Sequence, residues 1–269
     1  MNITFLGGGN MASALIGGLL GQGFSGADIQ VVERSEEARA RLAATGVRAV
    51  AAFDEAALAC DVLVLAVKPQ QMREALADVT GRLDAQLVVS IAAGLRLADL
   101  SRWLGGHDRL VRAMPNTPAL IGRGMTGLYA TGGVSAAQRE AATRIMDAVG
   151  ESVWVAEESL IDAVTALSGS GPAYVFHFIE ALEAAGSQLG LPAETARRLA
   201  VGTLAGASAL AAQSPESPAL LRERVTSRGG TTEAALRSMA ADDFSGVVAR
   251  ALAAAAARGA ELGVQLGGD

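Results

Sequence analysis

A glycine-rich turn near the start of the chain constrains the fold more than any other feature. The apolar stretch Ile3–Leu6 is typical of a buried strand, and Gly7, Gly9 and Ala12 follow it where an apolar-periodic helix begins. In this context Gly7 permits a tight turn, Gly9 lets the backbone approach a pyrophosphate, and Ala12 lets helix and strand pack closely. The pattern predicts a strand–turn–helix unit that binds a dinucleotide, with a merely tight turn as the alternative.

Short β-rich apolar segments alternate with helical patterns through the first half of the chain. The predicted strands are Ile3–Leu6, Ile29–Val32, Val47–Val50, Val62–Val67, Leu87–Ile91, Leu110–Ala113, Gly127–Ala130 and Val153–Val155. Beyond about Glu157 the pattern is helical, over Glu158–Leu167, Pro172–Leu189, Ala193–Gln213, Pro218–Thr226 and Thr231–Gly263. We therefore expect an α/β fold with an N-terminal Rossmann-type doubly wound sheet over residues 1–157, followed by an all-α C-terminal domain over residues 158–269.

Composition narrows the possible partners and the compartment. The 22 basic and 28 acidic residues give a net charge of −6, which argues against a nucleic-acid or anionic-membrane surface. No apolar run approaches the about 18 residues that a membrane helix needs, no secretory signal precedes the first strand, and Cys60 is the single cysteine. We expect a cytoplasmic protein without a metal site, whose alanine- and glycine-rich C-terminal helices complete their core against a second subunit.

The residues after the second strand carry two conflicting signals about the dinucleotide. Glu33 stands where an acidic side chain accepts hydrogen bonds from the ribose hydroxyls of NADH, whereas Arg34 and Ser35 could hold the 2′-phosphate of NADPH. Neighbours on an extended chain face opposite sides, so Arg34 and Ser35 can point to the ribose while Glu33 points away. The sequence favours NADPH, with NADH as the alternative.

Two later strands also end in residues that suit a ligand. An open α/β sheet binds its ligand at the carboxyl ends of its strands. Lys68 could contact a ribose hydroxyl or a phosphate there, although a strand-ending Lys-Pro is often only a turn. The residues assigned to the cofactor at these two strand ends are Ala66, Val67, Lys68, Pro69, Ala92 and Ala93.

Six ordered segments together resemble the pyrroline-5-carboxylate reductase family. They are Gly8-Gly9-Asn10-Met11-Ala12, Ala66-Val67-Lys68-Pro69, Val89-Ser90-Ile91-Ala92-Ala93-Gly94, Arg112-Ala113-Met114-Pro115-Asn116-Thr117-Pro118-Ala119, Leu167-Ser168-Gly169-Ser170-Gly171-Pro172-Ala173-Tyr174 and Gly229-Gly230-Thr231-Thr232. The resemblance implies an NAD(P)H-dependent reduction of 1-pyrroline-5-carboxylate to L-proline, the last step of proline biosynthesis. It also implies a Rossmann domain and a helical domain that interlocks in a dimer, often within larger rings.

A loop from Ser227 to Thr232 is the predicted substrate site. It offers consecutive backbone N–H groups and hydroxyls at the start of a helix, an arrangement that holds anions such as a carboxylate. The resemblance makes Thr232 the catalytic candidate, with its hydroxyl near the ring nitrogen of the substrate. The residues that would hold the carboxylate beside it are Ser227, Gly229, Gly230 and Thr231. Thr231 and Thr232 could also be helix caps.

Three further residues are assigned to the cofactor from these motifs. Asn10 and Met11 follow the glycine turn, and Asn116 lies in a proline-flanked loop where it could contact the nicotinamide or its ribose. A bare turn is the alternative for Asn116. No histidine is assigned to the site, because His177 lies in an apolar helical segment and is interpreted as a core residue.

The sequence departs from the family at two positions. Family members commonly carry a neutral residue in place of Glu33, and Ser-Pro-Gly-Gly-Thr in place of the segment that contains Arg228. Two other functions stay open. A β-hydroxyacid dehydrogenase would normally supply a lysine from its early C-terminal helices, and no lysine follows Lys68. A noncatalytic nucleotide sensor could lose the anion-binding loop, which this chain retains.

Overall fold

The computed structural model describes residues 1–268. The strands are β1 (Ile3–Leu6), β2 (Ile29–Val32), β3 (Arg48–Val50), β4 (Val62–Leu65), β5 (Leu87–Ser90), β6 (Leu110–Met114), β7 (Gly124–Ala130) and β8 (Gly150–Trp154). The helices are α1 (Asn10–Gly21), α2 (Glu36–Ala43), α3 (Glu55–Leu58), α4 (Pro69–Leu76), α5 (Leu97–Trp103), α6 (Ala136–Met146), α7 (Leu160–Val164), α8 (Gly171–Gln188), α9 (Ala193–Gln213), α10 (Pro218–Arg224), α11 (Thr231–Ala241) and α12 (Phe244–Gly267). A π-helical turn, Thr165–Gly169, follows α7.

All strands within residues 1–268 join one eight-stranded sheet in the order β3-β2-β1-β4-β5-β6-β7-β8. Neighbours from β3 through β6 pair in parallel, β7 runs antiparallel to β6, and β8 runs parallel to β7. The order reverses at β1, whose last residue Leu6 lies opposite both Val32 and Leu65. This register brings the chain that leaves β1, β2 and β4 to one edge of the sheet, beside the switch point where such sheets bind ligands.

The central strands are buried on both faces because helices cover both sides of the sheet. On one face Ile3 and Phe5 pack with Leu15 of α1. On the other face Leu65 packs with Met72 of α4. Parallel sheets need this double cover, which explains the continuous apolar runs in the sequence. The prediction of a doubly wound Rossmann-type sheet followed by helices is confirmed.

The two helices that border the ligand edge begin for reasons visible in the sequence. Ser35 caps α2 by accepting a hydrogen bond from the Ala38 N–H at 3.3 Å, and Glu36 and Glu37 place negative charge in the first turn. Pro69 opens α4, where its missing N–H removes a donor that would have had no intrahelical partner. Both helices therefore start at the edge where β2 and β4 end.

The chain divides into two compact units. One unit contains residues 1–170 together with the chain from Ala254 onward, and the other contains Gly171–Ala253, in which α8 packs along α9. The predicted domain boundary between residues 157 and 158 stays a prediction. The prediction of one helix over Thr231–Gly263 is wrong, because the chain breaks between α11 and α12 at Asp243. That residue adopts a φ of 52° and accepts a hydrogen bond from the Gly246 N–H at 3.3 Å.

The last turns of α12 belong to the sheet unit. A Cβ atom on Gly263 would lie 3.1 Å from Nε of Arg96 and 3.4 Å from the carbonyl oxygen of Gly94, so a larger residue would require the Arg96 side chain to shift. Arg102 of α5 donates a hydrogen bond of 2.6 Å to the carbonyl oxygen of Gly267. The end of the chain therefore covers the loop after β5. None of the helices described in residues 1–268 is long and apolar enough to cross a membrane.

Candidate functional site

A cleft of about 400 Å³ opens at the carboxyl edge of the sheet, beside the switch point. Residues 6–9, 32–35, 51–53 and 66–68 line it, together with Gln71, Ala75 and Asp78. Each of the four ranges follows or ends a strand of the sheet, and the other three residues lie on or just beyond α4. The cleft therefore occupies the position at which a Rossmann-type sheet binds a dinucleotide.

The glycine turn has the geometry that a pyrophosphate requires. Gly7 adopts a φ of +99°, and a Cβ atom there would lie 2.9 Å from the backbone of Ala66. Gly9 differs, because a Cβ atom there would meet nothing within 4 Å and would point into open space. Gly9 is also the N-cap of α1, with no side-chain cap and no acidic residue in the first turn. The first N–H groups of α1 therefore lack an intrahelical acceptor and can bind an anion. The residues present thus fit the pyrophosphate of NAD(P)H.

Glu33 enters the cleft instead of pointing away from it. Its carboxylate accepts a hydrogen bond of 2.7 Å from the Gly8 N–H and one of 2.8 Å from the Ser35 N–H. The expected alternation of Glu33 against Arg34 and Ser35 is wrong, since the chain bends at Arg34 and all three residues line the cleft. The carboxylate ties the glycine turn to the start of α2.

Arg34 is already paired at the mouth of the cleft. Its Nη1 lies 2.7 Å from Oε1 of Glu74 on α4, and both side chains are mostly exposed. The hydrogen bond and the charge of Glu74 raise the pKa of Arg34 above its usual value. The guanidinium is therefore held towards α4.

Lys68 ends the β4 side of the cleft as the residue before α4. It is the only lysine in the sequence, it is exposed, and it forms no ion pair with any residue in the described part of the chain. Ala66 and Val67 lie half-buried beside it. An unpaired cation at this strand end is suited to a phosphate or ribose oxygen of a bound dinucleotide.

The cleft contains only part of the predicted cofactor site. Seven predicted residues line it: Gly7, Gly9, Arg34, Ser35, Ala66, Val67 and Lys68. The predicted residues outside its lining are Asn10, Met11, Pro69, Ala92, Ala93 and Asn116. Sequence reasoning missed the contribution of 51–53 and of α4. The strand order would have indicated them, because β3 ends at the same edge and α4 begins there.

Asn116 is bonded to other parts of the sheet unit. Its Oδ1 accepts a hydrogen bond of 2.9 Å from the Met125 N–H, and its Nδ2 donates to the carbonyl oxygen and to Oγ of Ser168, both at 3.2 Å. These bonds tie the loop after β6 to β7 and to the π-helical turn. π-Helical turns are frequent at functional sites. The geometry favours a positioning role, and the predicted cofactor contact stays a prediction.

A buried ionic cluster, absent from the predicted site, joins β6 to α7. Arg112 is 4 % exposed, and its guanidinium lies 3.3 Å from Glu158 and 3.2 Å from Asp162. Oε1 of Glu158 also accepts a hydrogen bond of 2.8 Å from the Leu97 N–H at the start of α5. The cluster therefore fixes the segment that follows the loop after β5.

The predicted substrate loop belongs to the helical unit and leads into α11. Gly229 has a φ of +73°, and Gly230 is the N-cap of α11 without a side-chain cap. The alternative that Thr231 and Thr232 cap the helix is wrong, since they are its first two residues. Their N–H groups have no acceptor within α11. Glu233, which sequence reasoning missed, accepts a hydrogen bond from the Gly229 N–H and holds the turn.

The two histidines lie outside the cleft. His107 contacts the carbonyl oxygen of Gln86 at 2.9 Å, and the side chain of His177 is 86 % exposed beside Glu180. The interpretation of His177 as a core residue is wrong for the chain described, because it lies on the uncovered face of α8.

Comparison with known proteins gives matches to both halves of the chain. Residues 158–262 match the family model described as pyrroline-5-carboxylate reductase dimerisation. Residues 2–94 match the model described as NADP oxidoreductase, coenzyme F420-dependent. A pyrroline-5-carboxylate reductase of Pseudomonas aeruginosa is 49% identical over 267 residues, which are 98% of each chain. One of Haemophilus influenzae is 40% identical, covering 97% of each chain.

Solved structures give the same result. A pyrroline-5-carboxylate reductase of Coxiella burnetii has a TM-score of 0.92 and 42% identity, covering 97% of this chain and 98% of that one. The Plasmodium falciparum pyrroline carboxylate reductase with NADP bound has a TM-score of 0.85 and 29% identity, covering 98% of both chains. With relatives this close over its whole length, and with a cleft that fits a dinucleotide, the chain is an NAD(P)H-dependent oxidoreductase that belongs to the pyrroline-5-carboxylate reductase family.

Proposed function

We propose that this protein reduces the cyclic imine of 1-pyrroline-5-carboxylate to L-proline with NAD(P)H, as the last step of proline biosynthesis. The observation that carries the proposal is the dinucleotide cleft at the switch point of the sheet. The chain that contains this cleft matches pyrroline-5-carboxylate reductases over 97–98% of its length. Its expected location is the cytoplasm.

The residues around the cleft suit a reaction governed by positioning. When bound, NAD(P)H supplies the hydride for the imine carbon. A protonated imine is already electrophilic, so the protein needs no strong acid beside it and mainly has to orient its ligands. In this proposal the turn at Gly7 and Gly9 and the N-terminus of α1 hold the pyrophosphate, and Lys68 contacts an oxygen of the dinucleotide.

The loop from Ser227 to Thr232 is the proposed carboxylate site. The first N–H groups of α11 have no intrahelical acceptor, and the positive end of the helix dipole favours an anion there. The hydroxyl of Thr232 is the proposed contact for the ring nitrogen. Arg228 is exposed in the same loop and adds a positive charge near the site.

Self-association is expected through the helical half, which matches a dimerisation model. Large apolar side chains that would be costly to leave in water are exposed on its helices, among them Phe176, Leu199, Leu210, Phe244 and Val247. We propose that a second copy of the chain covers them. Assembly into a larger ring is a further proposal from the same resemblance.

The test of the activity is consumption of NADPH or NADH with racemic pyrroline-5-carboxylate, with proline identified as the product. Thr232→Ala should lower turnover roughly 10- to 100-fold while the Kd for the cofactor changes little, since the hydroxyl acts on the substrate. Ser238→Ala, which removes an exposed hydroxyl from the same helix, is the matched control. Equal turnover in Thr232→Ala would remove that residue from the site. Cofactor binding without turnover would favour a carbonyl substrate or a noncatalytic sensor.

A further inference from the structure

The adenosine end of the cleft carries a carboxylate that is fixed in place. Glu33 follows β2 directly, and its two carboxylate oxygens each accept a backbone hydrogen bond, from Gly8 at 2.7 Å and from Ser35 at 2.8 Å. These bonds hold the negative charge in the cleft lining instead of letting it turn towards solvent. Each oxygen keeps a free lone pair, so the carboxylate can still accept hydrogen bonds from a diol.

The guanidinium and the backbone N–H that could balance a second phosphate beside β2 already have hydrogen-bond partners. The guanidinium of Arg34 is paired with Glu74 at 2.7 Å. Asp78 lies just beyond the end of the same helix and lines the cleft as well. The hydroxyl oxygen of Ser35 accepts a hydrogen bond from the Ala38 N–H, and the Ser35 N–H donates to Glu33, so the O–H is the donor that this residue keeps. The arrangement around β2 thus presents acceptors and few unpaired donors.

Lys68 does not supply the cation that a 2′-phosphate beside β2 would need. It follows β4, which pairs with β1 on the side opposite to β2. Its backbone is therefore separated from Glu33 by the width of β1 and its glycine turn. A cation at that position suits the pyrophosphate side of the cleft better than the ribose beside β2.

We propose that Glu33 makes this protein bind NADH in preference to NADPH, an inference that rests on the dinucleotide site of the proposed function. The 2′- and 3′-hydroxyls of NADH donate hydrogen bonds to a carboxylate at the end of the second strand. The 2′-phosphate of NADPH has nothing to donate, and its charge of about −2 meets a fixed negative charge. Repulsion of this kind near a protein surface changes a binding constant by about tenfold. The proposal reverses the preference expected from Arg34 and Ser35 alone.

The experiment measures the Kd of NADH and of NADPH, without substrate, from the change in cofactor fluorescence. The wild-type protein should bind NADH more tightly. Glu33→Gln should lower the Kd for NADPH about tenfold relative to that for NADH, because the side chain keeps its size and loses its charge. Glu36→Gln, which neutralises an exposed acid at the first position of α2, should leave the ratio within about twofold.

A second variant tests the role of Arg34 without touching the glycine turn. Glu74→Gln removes an exposed carboxylate on α4 and releases the guanidinium, so the Kd for NADPH should fall severalfold while that for NADH stays constant. A wild-type protein that prefers NADPH would overturn the proposal. So would an unchanged Kd ratio in both Glu33→Gln and Glu74→Gln. An equal loss of affinity for both cofactors in both variants leaves the ratio unchanged and overturns the proposal in the same way. Failure of the protein to reduce pyrroline-5-carboxylate would contradict the proposed function alone, because these binding constants are measured without substrate.

Discussion

Arg112→Met should destabilise the sheet unit more than most single substitutions would. The Arg112 side chain is 5 % exposed, and its guanidinium is shared by Glu158 and Asp162, which are 25% and 21% exposed. Methionine fills a similar volume but leaves the two carboxylates without their cation. Glu158 would still accept the hydrogen bond from the Leu97 N–H at the start of α5, but the charge of Asp162 beside it would no longer be compensated. The substitution therefore breaks a buried pair without replacing it.

The expected loss can be scaled from the burial of the cluster. Removing one partner of a buried ion pair costs about 3–5 kcal/mol. Because both carboxylates keep about a fifth to a quarter of their exposure, solvent screens part of that cost, and we expect about 3 kcal/mol. For a unit of about 150–250 residues, each kcal/mol lowers Tm by about 2–4 °C, so the melting temperature should fall by about 6–12 °C.

Thermal unfolding followed by circular dichroism measures this shift, with urea unfolding as an independent measure of the free energy. The double variant Arg112→Met with Asp162→Asn should regain part of the loss, because it removes one of the two stranded charges. Arg73→Met, which removes an exposed arginine from α4, is the control for loss of an arginine at the surface. A fall in Tm of less than about 2 °C in Arg112→Met would refute the reasoning.

Three further predictions follow from other parts of the sheet unit. Gly9→Ala should keep the Tm within about 1 °C, because the new Cβ would meet no atom within 4 Å. It should raise the Kd for the cofactor about tenfold or more, because the methyl group would intrude on the pyrophosphate site. An unchanged Kd would contradict the placement of the pyrophosphate at Gly9. An amine-directed reagent should modify Lys68 and the N-terminal amine alone, and saturating cofactor should slow the labelling of Lys68. Mass spectrometry of the peptide that contains Lys68 measures the labelling rate. Equal rates with and without cofactor would contradict a contact between Lys68 and the dinucleotide. The hydrogen bonds from Arg48 and from the Ala57 N–H hold the pKa of Asp54 at about 2, so its stabilising contribution is present above the unfolded pKa of 3.8 and is lost as the pH falls through about 2. NMR titration of the carboxyl measures this pKa, and a value at or above 3.8 would contradict it.

The sheet was predictable because local and tertiary preferences agree there. Ile3–Leu6 and Ile29–Val32 are bounded by turn residues and are strands with those same limits. The alternation of strands and helices predicts a parallel sheet with a switch point, and most of the residues that line the cleft lie at the strand ends beside that point. The start of β7 at Gly124 was placed three residues too late, because Gly124 and Met125 have no strand-like pattern and join the sheet by pairing with β8.

The missed features depend on side-chain partners far apart in sequence. Nothing local marks Arg112 as the partner of Asp162, or Asn116 as the partner of Ser168. The break at Asp243 uses an aspartate in a conformation that favours glycine, so the helical pattern continues through it. The orientation of Glu33 was missed because the alternation rule holds only while the chain stays extended.

The return of α12 to the sheet unit ties that unit's completion to a segment made long after the sheet itself. The loop at Gly94 and helix α5 are made early, but the turns that cover them, around Gly263 and Gly267, are made much later, with 165 positions separating Arg102 from its partner Gly267. A nascent chain thus carries an unfinished nucleotide-binding half until α12 emerges from the ribosome, and a chaperone would find apolar surface there until then. Removing the last turns of α12 would uncover the loop at Gly94 and helix α5, and so would damage the half of the protein that is made first.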